Sequence, residues 1–168
     1  FVLMFDVYWV YKSIRLAITA IIAHIKIKSA QKIDWLGETK KLPDWEKVHH
    51  IVLIPTYKEP LEVLERTLTK MSLQEFPLER LCIVLAFEER EAEAREKAAK
   101  LKASYDQVFG HLLATFHPDI DGEVKGKSSN EAWAGREAKK YLIDEQGVDM
   151  DFVTITSNDA DAILHQKY

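Results

Sequence analysis

The sequence predicts an α/β domain whose mostly parallel sheet carries helices on both faces, and three observations predict it. Four short runs, at residues 51–54, 81–86, 112–116 and 152–156, are rich in β-branched and other apolar residues and have the length of strands. Each reads as continuously apolar, the pattern of a strand covered on both sides. Helix-like stretches separate them, giving the alternation that builds parallel sheets. A chain of 168 residues with 47% hydrophobic and 30% charged content suits one core of this size and excludes a disordered tail.

Residues 1–33 form a segment of a different kind. Residues 1–11 are almost wholly apolar and aromatic, too few to cross a bilayer, which takes about 20, and they read as the end of a truncated transmembrane span. From Ser13 the pattern turns amphipathic: Ile14, Ala17, Ile18, Ile21, Ile22 and Ile25 follow a helical stripe, with Lys12, Arg15, Thr19 and Lys26 opposite. No acid falls between Asp6 and Asp34, whereas Lys12, Arg15, Lys26, Lys28 and Lys32 do. That asymmetry suits a helix on an anionic cytoplasmic membrane surface, and the plainer alternative is an amphipathic helix packed on the domain. No small-residue cleavage site follows the apolar part, so a signal peptide is not expected.

Residues 34–47 have no sustained period and read as a connector, with the domain proper from about residue 48. The first strand should stop at Pro55. Leu61, Leu64, Leu68 and Met71 mark a helix ending before Pro77. After the second strand, residues 88–102 read as a charged, Ala-rich helix with a solvated face. The third strand is followed by a loop over 119–126 and a helix over 128–144. The fourth strand is expected to be buried and to deliver Asp159 and Asp161 to the sheet edge, with a further helix opening at Ala162. Cys82, the only cysteine, lies in an apolar run and reads as a buried thiol in a reducing compartment. The net charge of −4 lacks the basic surplus of a nucleic-acid binder, so no nucleic-acid partner is expected.

Three polar clusters fall at strand ends, where ligands of such sheets bind. Pro55-Thr56-Tyr57-Lys58-Glu59 offers a hydroxyl, a ring for a base to lie against and an acceptor for ribose hydroxyls; ordinary turn chemistry is the alternative. Gly126-Lys127-Ser128 precedes a helix whose free N–H groups favour an anion, unless Ser128 or Ser129 merely caps it. In extended chain, Asp159 and Asp161 would point to one side about 6–7 Å apart and suit a hard cation, Mg²⁺ or Mn²⁺. Otherwise Asp159 satisfies turn amides and Asp161 caps a helix. Asp119-Ile120-Asp121 is a second pair of the same spacing. His165 has no evident zinc partner and reads as a helix-surface residue.

In this order, the residues resemble glycosyltransferase family 2, the inverting nucleotide-sugar transferases of GT-A fold. The resemblance runs from about residue 48 to 168, and the hydrophobic front resembles the polytopic membrane branch that includes cellulose- and hyaluronan-synthase-like enzymes. It implies that Pro55, Thr56, Tyr57 and Glu59 hold the nucleotide, and that Glu88 or Glu89 contacts the nucleoside. Many members carry Asp followed by Gly-Ser there, where this chain has Phe87-Glu88-Glu89-Arg90. Gly126-Lys127-x-x-Asn130 implies Lys127 near the diphosphate or ribose, with Asn130 completing the motif. Asp159-Ala160-Asp161 matches the metal-binding Asp-x-Asp, with Asp159 also near the donor ribose.

The implied reaction moves a sugar from a nucleoside-diphosphate sugar, UDP-sugar favoured, to a glycan or lipid acceptor at the cytoplasmic face of the cell's inner membrane. A cation on Asp161 and Asp159 would stabilise the leaving diphosphate. The family's base lies downstream of the metal motif, so the chain is expected to be a donor-binding half, inactive alone. Two rivals stand beside this reading. In a P-loop hydrolase Gly126-Lys127-Ser128 would end a Walker A loop, but Asp121 occupies the place of its opening glycine. A non-enzymatic membrane scaffold would need neither aspartate.

Overall fold

The computed structural model describes residues 1–167 and divides into two units, one of residues 1–41 and one from Leu42 onward. The first unit is dominated by one helix, α1 (Val2–Ala30). No glycine or proline interrupts residues 1–36, so the apolar front and the amphipathic stretch from Ser13 run together as one helix. None of its residues is buried. Among the described residues no helix is long and apolar enough to cross a membrane. The connector has more order than its composition implies. Asp34 accepts a hydrogen bond from Gly37 N at 3.0 Å and so caps a short helix, α2 (Trp35–Thr39).

The second unit is a four-stranded, wholly parallel sheet of β1 (His49–Thr56), β2 (Leu81–Glu88), β3 (His111–His117) and β4 (Val153–Ser157), in the order β3-β2-β1-β4. Helices α3 (Leu61–Met71), α4 (Ala94–Tyr105) and α5 (Lys127–Lys139) make the three crossovers that parallel strands require. Alternation along β1 sorts the core into two layers. Val52 and Ile54 pack with Leu64, Leu68 and Leu101 of α3 and α4, whereas Ile51 and Leu53 pack with Ala134 and Ala138 of α5. Both faces are therefore covered, as expected. The chain steps from β1 to β2 to β3 in one direction and returns past β1 to β4 in the other. Crossovers of constant hand then put α5 on the opposite face from α3 and α4.

Several element boundaries differ from the sequence reading. β4 is not buried but forms one edge of the sheet, with Ile155 57% exposed. Its β-branched residues suit a pleated surface without requiring burial. β2 runs through Glu88, and the charged helix begins only at Ala94. That helix is not wholly solvated, because Lys97 and Glu91 are buried as an ion pair at 2.6 Å. α5 ends at Lys139 and continues as a π-helical turn over Lys140–Glu145. Asn130, Ala134, Ala138 and Leu142 are buried four residues apart, and the small alanines let the helix lie close on the sheet. No helix opens at Ala162: residues 162–165 are irregular, so Asp161 caps nothing and His165 lies on no helix. That segment is pinned instead by Gln74 Nε2 donating to His165 O and by Glu75 N donating to Gln166 O.

Candidate functional site at the sheet's carboxyl edge

Pro55 decides where the site opens. Leu53 turns its carbonyl toward β4, accepting from Asn158 N at 2.8 Å, so Pro55, two residues on, turns its nitrogen the same way. A ring nitrogen donates nothing, and the β1–β4 ladder stops after the Leu53–Ser157 pair. β1 stays paired with β2 through Thr56 and Phe87. The edge thus splits between β1 and β4, where strand order reverses, and a cleft of about 310 Å³ lies there.

The cleft is lined by Pro55, Thr56, Tyr57 and Glu59 after β1, by Glu88 and Arg90 after β2, by Gly126, Lys127 and Asn130 at the start of α5, and by Asp159, Ala160 and Asp161 after β4. Of the candidates read from the sequence, Glu89, Ser128 and the Asp119–Asp121 pair are outside that set, whereas Pro55, Thr56, Tyr57, Glu59, Glu88, Lys127, Asn130, Asp159 and Asp161 are in it. Arg90 and Ala160 join them without having been singled out.

The acidic pair reaches the cleft by a different route from the one expected. β4 ends at Ser157, and Asp159 and Asp161 sit on a turn closed by Ala162 N donating to Asp159 O at 3.0 Å. They are not two residues of extended strand. Thr67 Oγ1 donates to Ala160 O at 2.7 Å, fixing the buried middle of the turn to α3. Asn158, also buried, spans the turn with Nδ2 donating to Asp159 O and Ala162 O. Its place before the acids was legible as an Asx-type turn residue.

Lys127 pairs with Asp159 and lies 3.7 Å from Glu131, whose carboxylate also accepts from Ser157 Oγ. The hydrogen bond that Lys127 donates to Asp159 is the main reason its pKa is raised; burial opposes it, and the charges of Asp159 and Glu131 assist. Gly126 is the N-cap of α5 and no side chain caps the helix, so its first N–H groups lack an intrahelical acceptor at an end where Gly126 and Lys127 line the cleft. Ser129, one of the two expected caps, donates its hydroxyl to Val124 O and Gly126 O instead. Asn130 is 2% exposed and locks the first turn of α5 to β2 through Nδ2 donating to Ala86 O at 2.7 Å. Its Oδ1 is buried without a hydrogen-bond partner, as is Thr56 Oγ1 across the cleft.

At the β2 end, Glu88 is 5% exposed and accepts from Arg90 Nε at 3.0 Å. The Arg90 guanidinium lies 4.3 Å from the centroid of the Tyr57 ring. Glu89, the alternative acid, instead pairs with Arg95 at 2.6 Å. Lys58 has φ of 64°, and this left-handed residue is held by its N–H donating to Glu91 Oε2. Lys97 Nζ reaches both Glu91 Oε1 and Glu59 O, so the buried pair fixes the whole turn from Lys58 to Glu59.

Among the described residues no three His, Cys, Asp or Glu side chains are grouped to share an ion. Asp159 and Asp161 are the two carboxylates after β4 that line the cleft. Asp159 already pairs with the Lys127 ammonium, while Asp161 lines the cleft beside it. The second acidic pair is placed otherwise, since Asp119 is bound to Lys125 at 2.5 Å beside a small hollow at the end of β3.

These features define a parallel α/β protein of Rossmann-like layout with a polar, charge-lined cleft at its switch point. No protein-family model matches the chain, and no curated protein matches it.

Proposed function

We propose that the chain carries the donor-binding site of a metal-dependent, inverting glycosyltransferase of family 2 with a GT-A fold, acting on a nucleoside-diphosphate sugar, UDP-sugar by preference. One observation carries the reading: three stretches far apart in sequence, chosen for that chemistry, line a single cleft of about 310 Å³. This volume suits a small-molecule ligand. Lys127 and the open N–H groups of α5 meet the diphosphate, and the Glu59 carboxylate accepts from ribose hydroxyls. Asp161, with Asp159, holds the Mg²⁺ or Mn²⁺, whose bound charge stabilises the leaving diphosphate. The acceptor, a glycan or lipid hydroxyl, needs a base to take its proton as it attacks the sugar.

The exposed apolar surface of α1, with Lys12, Arg15 and Lys26 on one stripe, supports contact with an anionic membrane surface, the cytoplasmic face of the inner membrane. The decisive experiment is thermal stabilisation of the whole chain. UDP-sugar with Mn²⁺ is expected to raise Tm where ATP with Mg²⁺ does not. The reverse result would favour a P-loop hydrolase, and no response to either would favour a scaffold. Sedimentation with anionic vesicles, weakening as salt rises, tests the membrane contact.

A further inference from the structure

Resting on that donor-site reading and deepening it, we infer that Lys127 is a built-in cation that occupies Asp159 in the unliganded chain and keeps a divalent ion off it until a nucleoside diphosphate draws the lysine away. Lys127 opens α5, Asp159 sits on the turn after β4, and the two are bound to each other. The other carboxylate beside the ammonium is Glu131 at 3.7 Å, one helical turn on, itself tied to the end of β4 through Ser157 Oγ. Lys127, Asp159 and Asp161 line the same cleft, and among the described residues no third His, Cys, Asp or Glu joins the two aspartates to hold an ion.

Two aspartates are few ligands for a hard cation, and here an ammonium already takes one of them. A divalent ion arriving alone must displace the lysine or sit against its charge, and two cations at one carboxylate repel. Asp161 with water is a weak site by comparison. A diphosphate reverses the balance, because it offers Lys127 more negative charge than one carboxylate does and brings oxygen ligands for the metal. Lysine suits such an exchange, being a point charge on a flexible four-carbon stem. Its side chain is 52% exposed, and a solvated ion pair is weak enough to break. The backbone on either side stays fixed meanwhile. Asn130 ties the first turn of α5 to β2, and Thr67 holds Ala160 between the two aspartates, so the exchange is the swing of one side chain.

The test is Mn²⁺ binding to the whole chain without nucleotide, read from the paramagnetic resonance of the free ion, and repeated with UDP. Lys127→Met should tighten Mn²⁺ binding without UDP by about three- to tenfold, as expected when one competing positive charge is removed from a surface carboxylate. The same variant should bind UDP more weakly. Lys127→Arg, which keeps the charge, should leave Mn²⁺ within about twofold of the unaltered chain. A lysine that merely supports the turn would give the opposite sign, so Mn²⁺ binding that is weakened or unchanged in Lys127→Met overturns the inference. UDP binding that Mn²⁺ does not strengthen in the unaltered chain overturns it too, while leaving the nucleotide site standing. Binding of neither UDP nor Mn²⁺ removes the donor-site reading and this inference with it.

Discussion

The backbone N–H of Asn158 donates to Leu53 O at 2.8 Å, the last rung joining β4 to β1, and the side chain of Asn158 then holds the turn that carries both cleft aspartates. One buried amide thus couples the end of the sheet to the acids. Asn158→Ala keeps the rung and removes the two side-chain bonds to Asp159 O and Ala162 O. The expected loss is about 1–3 kcal/mol in urea unfolding. Metal-dependent nucleotide binding should weaken more than this loss of stability alone would cause. Unchanged binding would mean that Asp159 and Asp161 do not depend on the turn.

Lys97 and Glu91 form the most buried ion pair described, and they hold Lys58 and Glu59 in place. Burial works against the Lys97 ammonium, but the hydrogen bonds and charges of Glu91 and Glu93 outweigh it and raise its pKa. Lys97→Met abandons the Glu91 carboxylate in a nearly dry setting, which costs about 3–5 kcal/mol. Adding Glu91→Gln should restore much of that stability, because an unpaired buried charge is the larger penalty. If the double variant is no more stable than Lys97→Met, the cost lies in packing rather than in charge.

What was legible in the sequence follows from the range over which each signal acts. The four strands and the two-sided cover were readable because apolar runs of strand length have few other uses, and the clusters after β1 and before α5 lie in the cleft as a parallel sheet requires. The position of β4 was not readable: Val153-Thr154-Ile155-Thr156 serves an edge as well as a centre, and only the return of the chain past β1 decides. Arg90 was hidden because its partners, Glu88 and Tyr57, meet only when β1 and β2 pair. The same holds for Lys97, which looks like any lysine of a charged helix until Glu91 folds beneath it.

Cys82 sits in the middle of the sheet with no exposed surface, and burial pushes its thiol from 9.0 up to about 12. In the unfolded chain the thiol ionises near 9.0, whereas in the folded chain it stays protonated until about 12. The unfolded state therefore releases its proton first, so this contribution is complete below 9.0 and is lost as pH climbs toward 12. Relative to Cys82→Ala, the native chain should lose about 1.4 kcal/mol of stability per pH unit above 9.0. Chemical unfolding of both chains at about pH 8 and about pH 10.5 measures it. A constant difference between them would show that the thiol ionises freely in the fold. Thiol reagents should label Cys82 only at the rate of unfolding.

Two pairs of aspartates share the Asp-x-Asp spacing, and their settings predict opposite behaviour. Asp119 is spent on Lys125 at the end of β3, whereas Asp161 lines the main cleft beside the Lys127–Asp159 pair. Asp119 and Asp161 lie on the surface, where substitutions usually change stability by less than about 0.5 kcal/mol, so a binding change can be read directly. Asp161→Asn should remove the Mn²⁺-dependent part of UDP-sugar stabilisation. Asp119→Asn should leave it within about twofold, since at most a surface ion pair worth less than about 1 kcal/mol is lost. Titrating each variant with UDP-sugar at fixed Mn²⁺, and again with a chelator, separates the metal's share from the nucleotide's. If Asp119→Asn is the variant that abolishes the metal dependence, the cation belongs to the β3 loop, and the turn after β4 serves only to position Asp159 against Lys127.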